Sequence, residues 1–202
     1  LESIKMDNVA ALRLLVEKGV NMNGFCSQGY GLFHQAILSG SKEVIKYWIS
    51  QSFSINLSSH QPSFLIHRTV ASKNSPEVLD FLLSIGGNIN EQIDEYYLKV
   101  LQTSNTGNPI VKKFTRRDPP TVNAIFMRKL EMMRVLLKHG ADPNSRVFSN
   151  TTTLLHLAVE FQLPEFFKLL VSSGADTNAI DYEGRTALSM IASDKLSAFT
   201  AN

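Results

Sequence analysis

Three histidines are the residues whose type best suits them to chemistry: His34, His67 and His156. A metal site or a general base would need them to converge. They recur instead at one position of a repeated pattern: Leu32-Phe33-His34-Gln35-Ala36, Leu65-Ile66-His67-Arg68-Thr69 and Leu154-Leu155-His156-Leu157-Ala158. Each therefore belongs to a separate copy of one unit. His139 falls in the last turn of a predicted helix, where a cation suits the dipole. His60 falls at a predicted hairpin tip and is the histidine placed to face a partner. Cys26 is the single cysteine. No neighbouring residue marks a base or an oxyanion site, so it reads as a bystander thiol. It can form no internal disulfide, which fits a reducing compartment. CxxC, HExxH, GxGxxG and GxxxxGK[ST] are all missing. The residues call for no metal, no cofactor and no catalytic group. One charged cluster remains, Lys112-Lys113-Phe114-Thr115-Arg116-Arg117.

The elements that must position these residues are clearest in 151–178. Thr153 to His156 opens a helix, and Pro164 suits the first turn of a second, where its missing N–H costs nothing. Phe166, Phe167, Leu170 and Val171 form an apolar stripe at helical spacing. Gly174 ends the helix, and Ala175-Asp176-Thr177-Asn178 leads away. So short a helix pair cannot bury its apolar face alone and should stack on copies of itself.

Copies are present. Exit asparagines stand at 23, 56, 90, 144 and 178, at intervals of 33, 34, 54 and 34. Thr152-Thr153-Leu154-Leu155-His156-x-Ala158, a second helix ending in two apolar residues, and Gly174-Ala175-Asp176-Thr177-Asn178 together resemble the ankyrin repeat, whose period is about 33 residues. The resemblance covers nearly the whole chain except the excess in the long interval. It implies an all-α ankyrin-repeat solenoid of stacked helix-turn-helix units with hairpin loops and one long inserted loop, forming a single domain over 1–202. It also implies that each repeated histidine bonds to backbone and ties adjacent repeats.

The repeats run 1–23 (partial), 24–56, 57–90, 91–144, 145–178 and 179–202 (partial). Helix pairs are predicted at 1–18, 32–51, 65–85, 121–139 and 154–173. In the first, Ala11, Leu12, Leu15 and Val16 form the stripe and Asp7-Asn8 the connection and cap. Ser41 and Ser75 are expected to cap the second helices that follow them; Ser75-Pro76-Glu77 is a strong helix start. One extra residue is placed near Lys73-Asn74, and another in the hairpin after Asn144. In 91–144, Val122 takes the histidine position, and the insertion occupies about 91–118. Tyr96 to Leu101 suits a short helix or strand, and Ser104 to Pro109 is turn chemistry. Structureless loops of that length usually have a function or are disordered. In the last repeat, Ser189 replaces the histidine.

The chain has 202 residues, 44% hydrophobic and 19% charged, with a net charge of +2. That balance implies neither a nucleic-acid nor a membrane partner. No apolar run reaches the ~20 residues of a membrane span, and no secretory signal is visible. An intracellular place, cytoplasmic or nuclear, is expected. The first residue is Leu1, already in helix phase, so the chain is expected to be a segment of a longer protein.

The resemblance implies a protein or peptide partner, bound by a monomeric segment along the concave face through hairpin tips and the exposed side of each first helix. The matching positions include Gln28, Tyr30, Leu38, His60, Gln61, Glu160, Phe161, Tyr182 and Arg185. Tyr30, Phe161, Tyr182 and Arg185 carry most weight, because aromatic and arginine side chains dominate interface energetics. Lys112, Lys113, Arg116 and Arg117 add a basic surface for an acidic partner. Two rival readings stand beside this one. The first is nucleic-acid binding through the basic insertion, which the overall charge disfavours. The second is a targeting domain of a larger enzyme.

Overall fold

A computed structural model describes residues 2–21, 31–51, 65–71, 75–92, 99, 118–148 and 152–194. The described residues are all-α apart from one two-stranded hairpin and an isolated bridge between Ile180 and Thr186. Helices α1 (Glu2–Lys5), α2 (Val9–Glu17), α3 (Leu32–Ser39), α4 (Lys42–Ser50), α5 (Leu65–Ala71) and α6 (Pro76–Ser84) lie in one compact unit, Leu1–Asn88. Helices α7 (Pro120–Phe126), α8 (Leu130–Lys138), α9 (Leu154–Glu160), α10 (Pro164–Ser172) and α11 (Ala187–Asp194) lie in a second, Ile89–Asn202. The predicted helix pairs agree with these bounds to within one residue at each outer end.

The pairs have a common internal plan. The first helix stops at a residue with positive φ: Asp7 (53°), Gly40 (69°), Arg128 (55°) or Gln162 (55°). The next N–H then reaches back to the first helix, as Asn8 N–H does to Ser3 O at 2.8 Å and Leu163 N–H to Ala158 O at 2.8 Å. Three of these four residues are not glycine, so the turn stores strain that the packed pair must hold. In four of the pairs the second helix closes on a left-handed glycine, Gly19, Gly86, Gly140 or Gly174; after α4 the sequence has Ser52 instead. Gly174 has φ 91°, and the following Ala175 N–H bonds Leu170 O at 3.0 Å, satisfying a carbonyl the helix leaves free.

Within the N-terminal unit, α1 packs on α3, α3 on α5, and α2 on α4. Its core is Leu12, Phe33, Ile45, Trp48, Ile66, Val70, Leu79 and Leu82. Phe33 meets the Trp48 ring edge-on at 5.6 Å, a favoured aromatic geometry. Within the C-terminal unit, α7 packs on α9, α8 on α10, and α9 on α11. Val122, Ile125, Met133, Leu136, Leu155, Leu157 and Leu170 fill its core. First helices thus stack on first helices and second on second, as a repeat array requires. Strands β1 (Arg146–Val147) and β2 (Thr152–Thr153) pair antiparallel, Arg146 opposite Thr153.

Several expectations need correction. Ser41 does not cap α4; its hydroxyl donates to Ile4 O at 2.6 Å. The α4 N-terminus is capped from the preceding pair, since Asp7 accepts from Glu43 N–H at 3.2 Å and Val44 N–H at 2.9 Å. A carboxylate brought in by a left-handed turn supplies charge that a local serine cannot. Ser75 makes no cap bond either. Asn8 does cap α2, accepting from Ala11 N–H at 2.9 Å. Leu15 and Val171, assigned to buried stripes, are exposed. The extra residue near Lys73-Asn74 and the insertion's Tyr96, Tyr97 and Phe114 lie outside the described residues.

Candidate binding surface

The hairpin at 180–186 is closed by an antiparallel bridge between Ile180 and Thr186 and carries the candidate positions Tyr182 and Arg185. Asp181 organises it. One carboxylate oxygen accepts from Glu183 N–H at 2.8 Å and Arg185 N–H at 2.9 Å. The other accepts from the Arg185 guanidinium at 3.0 and 2.8 Å. Burial pushes the Asp181 carboxyl up, but the bonds from Arg185 and Glu183 outweigh it and hold the group below its ordinary value. Arg185 also pairs with Glu183 at 2.8 Å. Tyr182 projects from the turn so formed, 63% exposed.

His156 joins this hairpin to α9. Thr153 Oγ1 donates to its Nδ1 at 2.7 Å, and its Nε2–H donates to Arg185 O at 2.8 Å. A carbonyl can only accept, so the proton belongs on Nε2. The imidazole ties one repeat to the next through backbone. Asn144 does the same at the other edge: its amide donates to Gly174 O at 3.1 Å and accepts from Asp176 N–H at 2.7 Å. Arg146 adds a bond to Ile180 O at 3.0 Å. His67 is fully buried, and His34 is half-buried. Burial lowers the His34 imidazole below its ordinary value. Gly31 stands where Thr153 stands in the later pair, so His34 lacks the hydroxyl that holds His156.

The structure separates the candidate partner-binding residues. Tyr182 and Glu160 are exposed. Phe161 is half-buried and packs edge-on against Phe126 at 6.2 Å. Its carbonyl also accepts from Arg128 at 3.4 Å. The Arg185 guanidinium is engaged within its own hairpin. Leu38 lies in α3. Gln28, Tyr30, His60, Gln61, Lys112, Lys113, Arg116 and Arg117 lie outside the described residues, as does Cys26. The contact of Phe126 with Phe161 and the brace of Asp181 on Arg185 have no signal in the spacing, whereas the Asp-x-Asn exits at 142–144 and 176–178 point to the bond between Asn144 and Asp176. Among the described residues, no cluster of three or more His, Cys, Asp or Glu could hold a metal. No helix among them is long and apolar enough to cross a membrane.

The family described as ankyrin repeats (3 copies) matches residues 64–181 and 121–199, and that described as ankyrin repeats (many copies) matches residues 4–49. An ankyrin repeat protein of Acanthamoeba polyphaga mimivirus is 26% identical over 90% of this chain, which spans 21% of that protein. The glycerophosphocholine phosphodiesterase gde1 of Schizosaccharomyces pombe is 40% identical over 32% of this chain and 6% of its own. The chain thus spans about a fifth or less of these relatives. One chain in the structure of the Bd0816 predatory endopeptidase from Bdellovibrio bacteriovorus, in complex with immunity protein Bd3460, superposes with a TM-score of 0.66. The match covers 98% of this chain and 95% of that one at 17% identity, a likeness of fold alone.

Proposed function

Because the chain belongs to the ankyrin repeat family, whose repeats generally mediate protein–protein interaction, we propose that it is a non-catalytic binding module for another protein or peptide. The repeat boundaries 1–23, 24–56, 57–90, 91–144, 145–178 and 179–202 belong to this reading. The partner is read as lying along the hairpin tips and the exposed side of the first helices. Gln28, Tyr30, Leu38, His60, Gln61, Glu160, Phe161, Tyr182 and Arg185 are its candidate contacts, and the bases 112, 113, 116 and 117 serve an acidic part of the same partner. The observation that carries this most directly is Tyr182, an exposed aromatic side chain on a turn pre-ordered by Asp181. Rigid presentation of an aromatic group lowers the ordering cost of binding. Arg185 then contributes by shaping the turn. A monomeric segment acting in the cytoplasm or nucleus completes the proposal, consistent with a lone cysteine.

Affinity capture tests it, using the intact chain beside a version lacking 95–117 and beside Tyr182→Ala. Capture of one partner by the intact chain, weakened by either change, supports the reading. Equal capture by all three places the surface elsewhere. Strong salt dependence together with affinity for a non-specific oligonucleotide would support the nucleic-acid reading instead.

A further inference from the structure

The second helices carry a repeated ion pair, and α2 breaks it. In the pairs whose turn residue has positive φ, a base stands six residues later: Arg13 after Asp7, Lys46 after Gly40, Arg134 after Arg128 and Lys168 after Gln162. Lys46, Arg134 and Lys168 each pair with the glutamate three residues before them, at 2.9, 3.1 and 3.4 Å. The matching residue before Arg13 is Ala10, and among the described residues Arg13 has no ion pair. Its guanidinium lies instead over the Tyr47 ring of α4, 5.1 Å from the centroid. A cation held by a ring face gives none of its N–H groups to an oxygen acceptor.

Arg13 and Tyr47 line an open groove of about 750 Å³, a volume typical of ligand sites. Its walls come from two adjacent pairs of the N-terminal unit, α1–α2 and α3–α4, and include Met6, Val9 and Ser50. The groove's other charges are already answered. Asp7 accepts from Glu43 N–H and Val44 N–H, and Lys46 donates to the Glu43 carboxylate. Arg13 is the charge there with no opposite charge bound to it.

We propose that this groove binds an Asp or Glu side chain, flanked by apolar residues, on a segment of another protein. It lies on the second helices, apart from the hairpin and first-helix positions proposed above, and is thus a separate contact region. The planar guanidinium fork matches a carboxylate. Tyr47 restrains that fork before binding, which lowers the ordering cost. Met6 and Val9 take the apolar groups on either side of the acid.

Ala10→Glu tests this most directly. It installs the acid that the other helices carry, in the first turn of α2, where negative charge suits the helix. Arg13 is then occupied without being removed. The probe is a peptide blocked at both ends, Gly-Leu-Glu-Leu-Gly, titrated while the Arg13 Nε–H resonance is followed by NMR. That resonance is expected to move with the glutamate peptide and to need about tenfold or more of the matching glutamine peptide. Ala10→Glu and Arg13→Gln should each weaken peptide binding by about tenfold or more with no loss in Tm, and Tyr182→Ala should leave it unchanged. No response to the glutamate peptide, or binding that survives Ala10→Glu and Arg13→Gln, overturns the proposal. Inorganic phosphate acting at lower concentration than the peptide would assign the groove to a phosphate group and overturn it as well. So would self-association of the chain removed by Ala10→Glu, which would assign the groove to a second copy.

Discussion

His156 Nε2 and the main-chain oxygen of Arg185 lie 2.8 Å apart, so a side chain from one repeat satisfies the backbone of the next. Both ring nitrogens of this buried imidazole are used, the other by Thr153. His156→Ala leaves a carbonyl and a hydroxyl without their partner. A loss of about 1–3 kcal/mol is expected in denaturant unfolding. The folded variant should retain partner affinity.

Gly31 suggests the reverse experiment. A Cβ built there would lie 3.5 Å from His34 Nδ1, an ordinary contact. The backbone at Gly31, φ −61° and ψ 154°, accepts any residue. Gly31→Thr should therefore recreate the Thr153–His156 bond in the earlier pair. A gain of about 1 kcal/mol is expected, from the bond and from a less flexible unfolded chain. Gly31→Val, which lacks the hydroxyl, separates the two contributions.

Acid should weaken the fold in two windows. The His34 imidazole is held below its ordinary value by burial, so the unfolded chain takes up the proton first. The associated stability is complete above the unfolded value of about 6.5 and is lost as pH falls towards the lower folded value. Asp181 is also depressed, because its hydrogen bonds outweigh burial. Its contribution is present above about pH 3.9 and is lost as pH falls through the folded value. Denaturant midpoints measured against pH should show both declines. His34→Leu should remove the first, and Asp181→Asn the second.

Asp7 caps a helix that is not its own, through Glu43 and Val44 N–H. Asp7→Asn keeps an acceptor and tolerates positive φ, so it should cost little. Asp7→Ala loses the cap and strains the turn; about 1–2 kcal/mol is expected. Amide exchange at Glu43 and Val44 should rise first.

Tyr182 and Arg185 should behave oppositely. Tyr182→Ala is expected to leave Tm unchanged and to weaken partner binding. Arg185→Ala removes the guanidinium that bridges Asp181 and Glu183, so Tm should fall and binding should fall with it. Titration calorimetry on both, at matched folded fractions, reads the difference.

The residues alone determined the repeat, its helix pairs and their order. Spacing of 33 or 34 residues, apolar stripes at helical period and a closing glycine are local signals. They place the helices to within one residue because no distant contact is needed to read them. The tertiary structure decided which of those residues are free. Arg185 reads as a hot spot in sequence, and the structure adds that its guanidinium braces its own turn. Phe161 reads likewise, and the structure adds that its ring packs on Phe126. Ser41 reads as a cap, yet Asp7 holds that role from the repeat before it. Leu15 reads as core and is open to solvent. For Phe161 and Ser41 the deciding partner lies about one repeat away in sequence, whereas Arg185 is held by Asp181 within its own turn. A stacked array brings residues some 30 positions apart into contact, and only its packing says which face of each helix meets a neighbour.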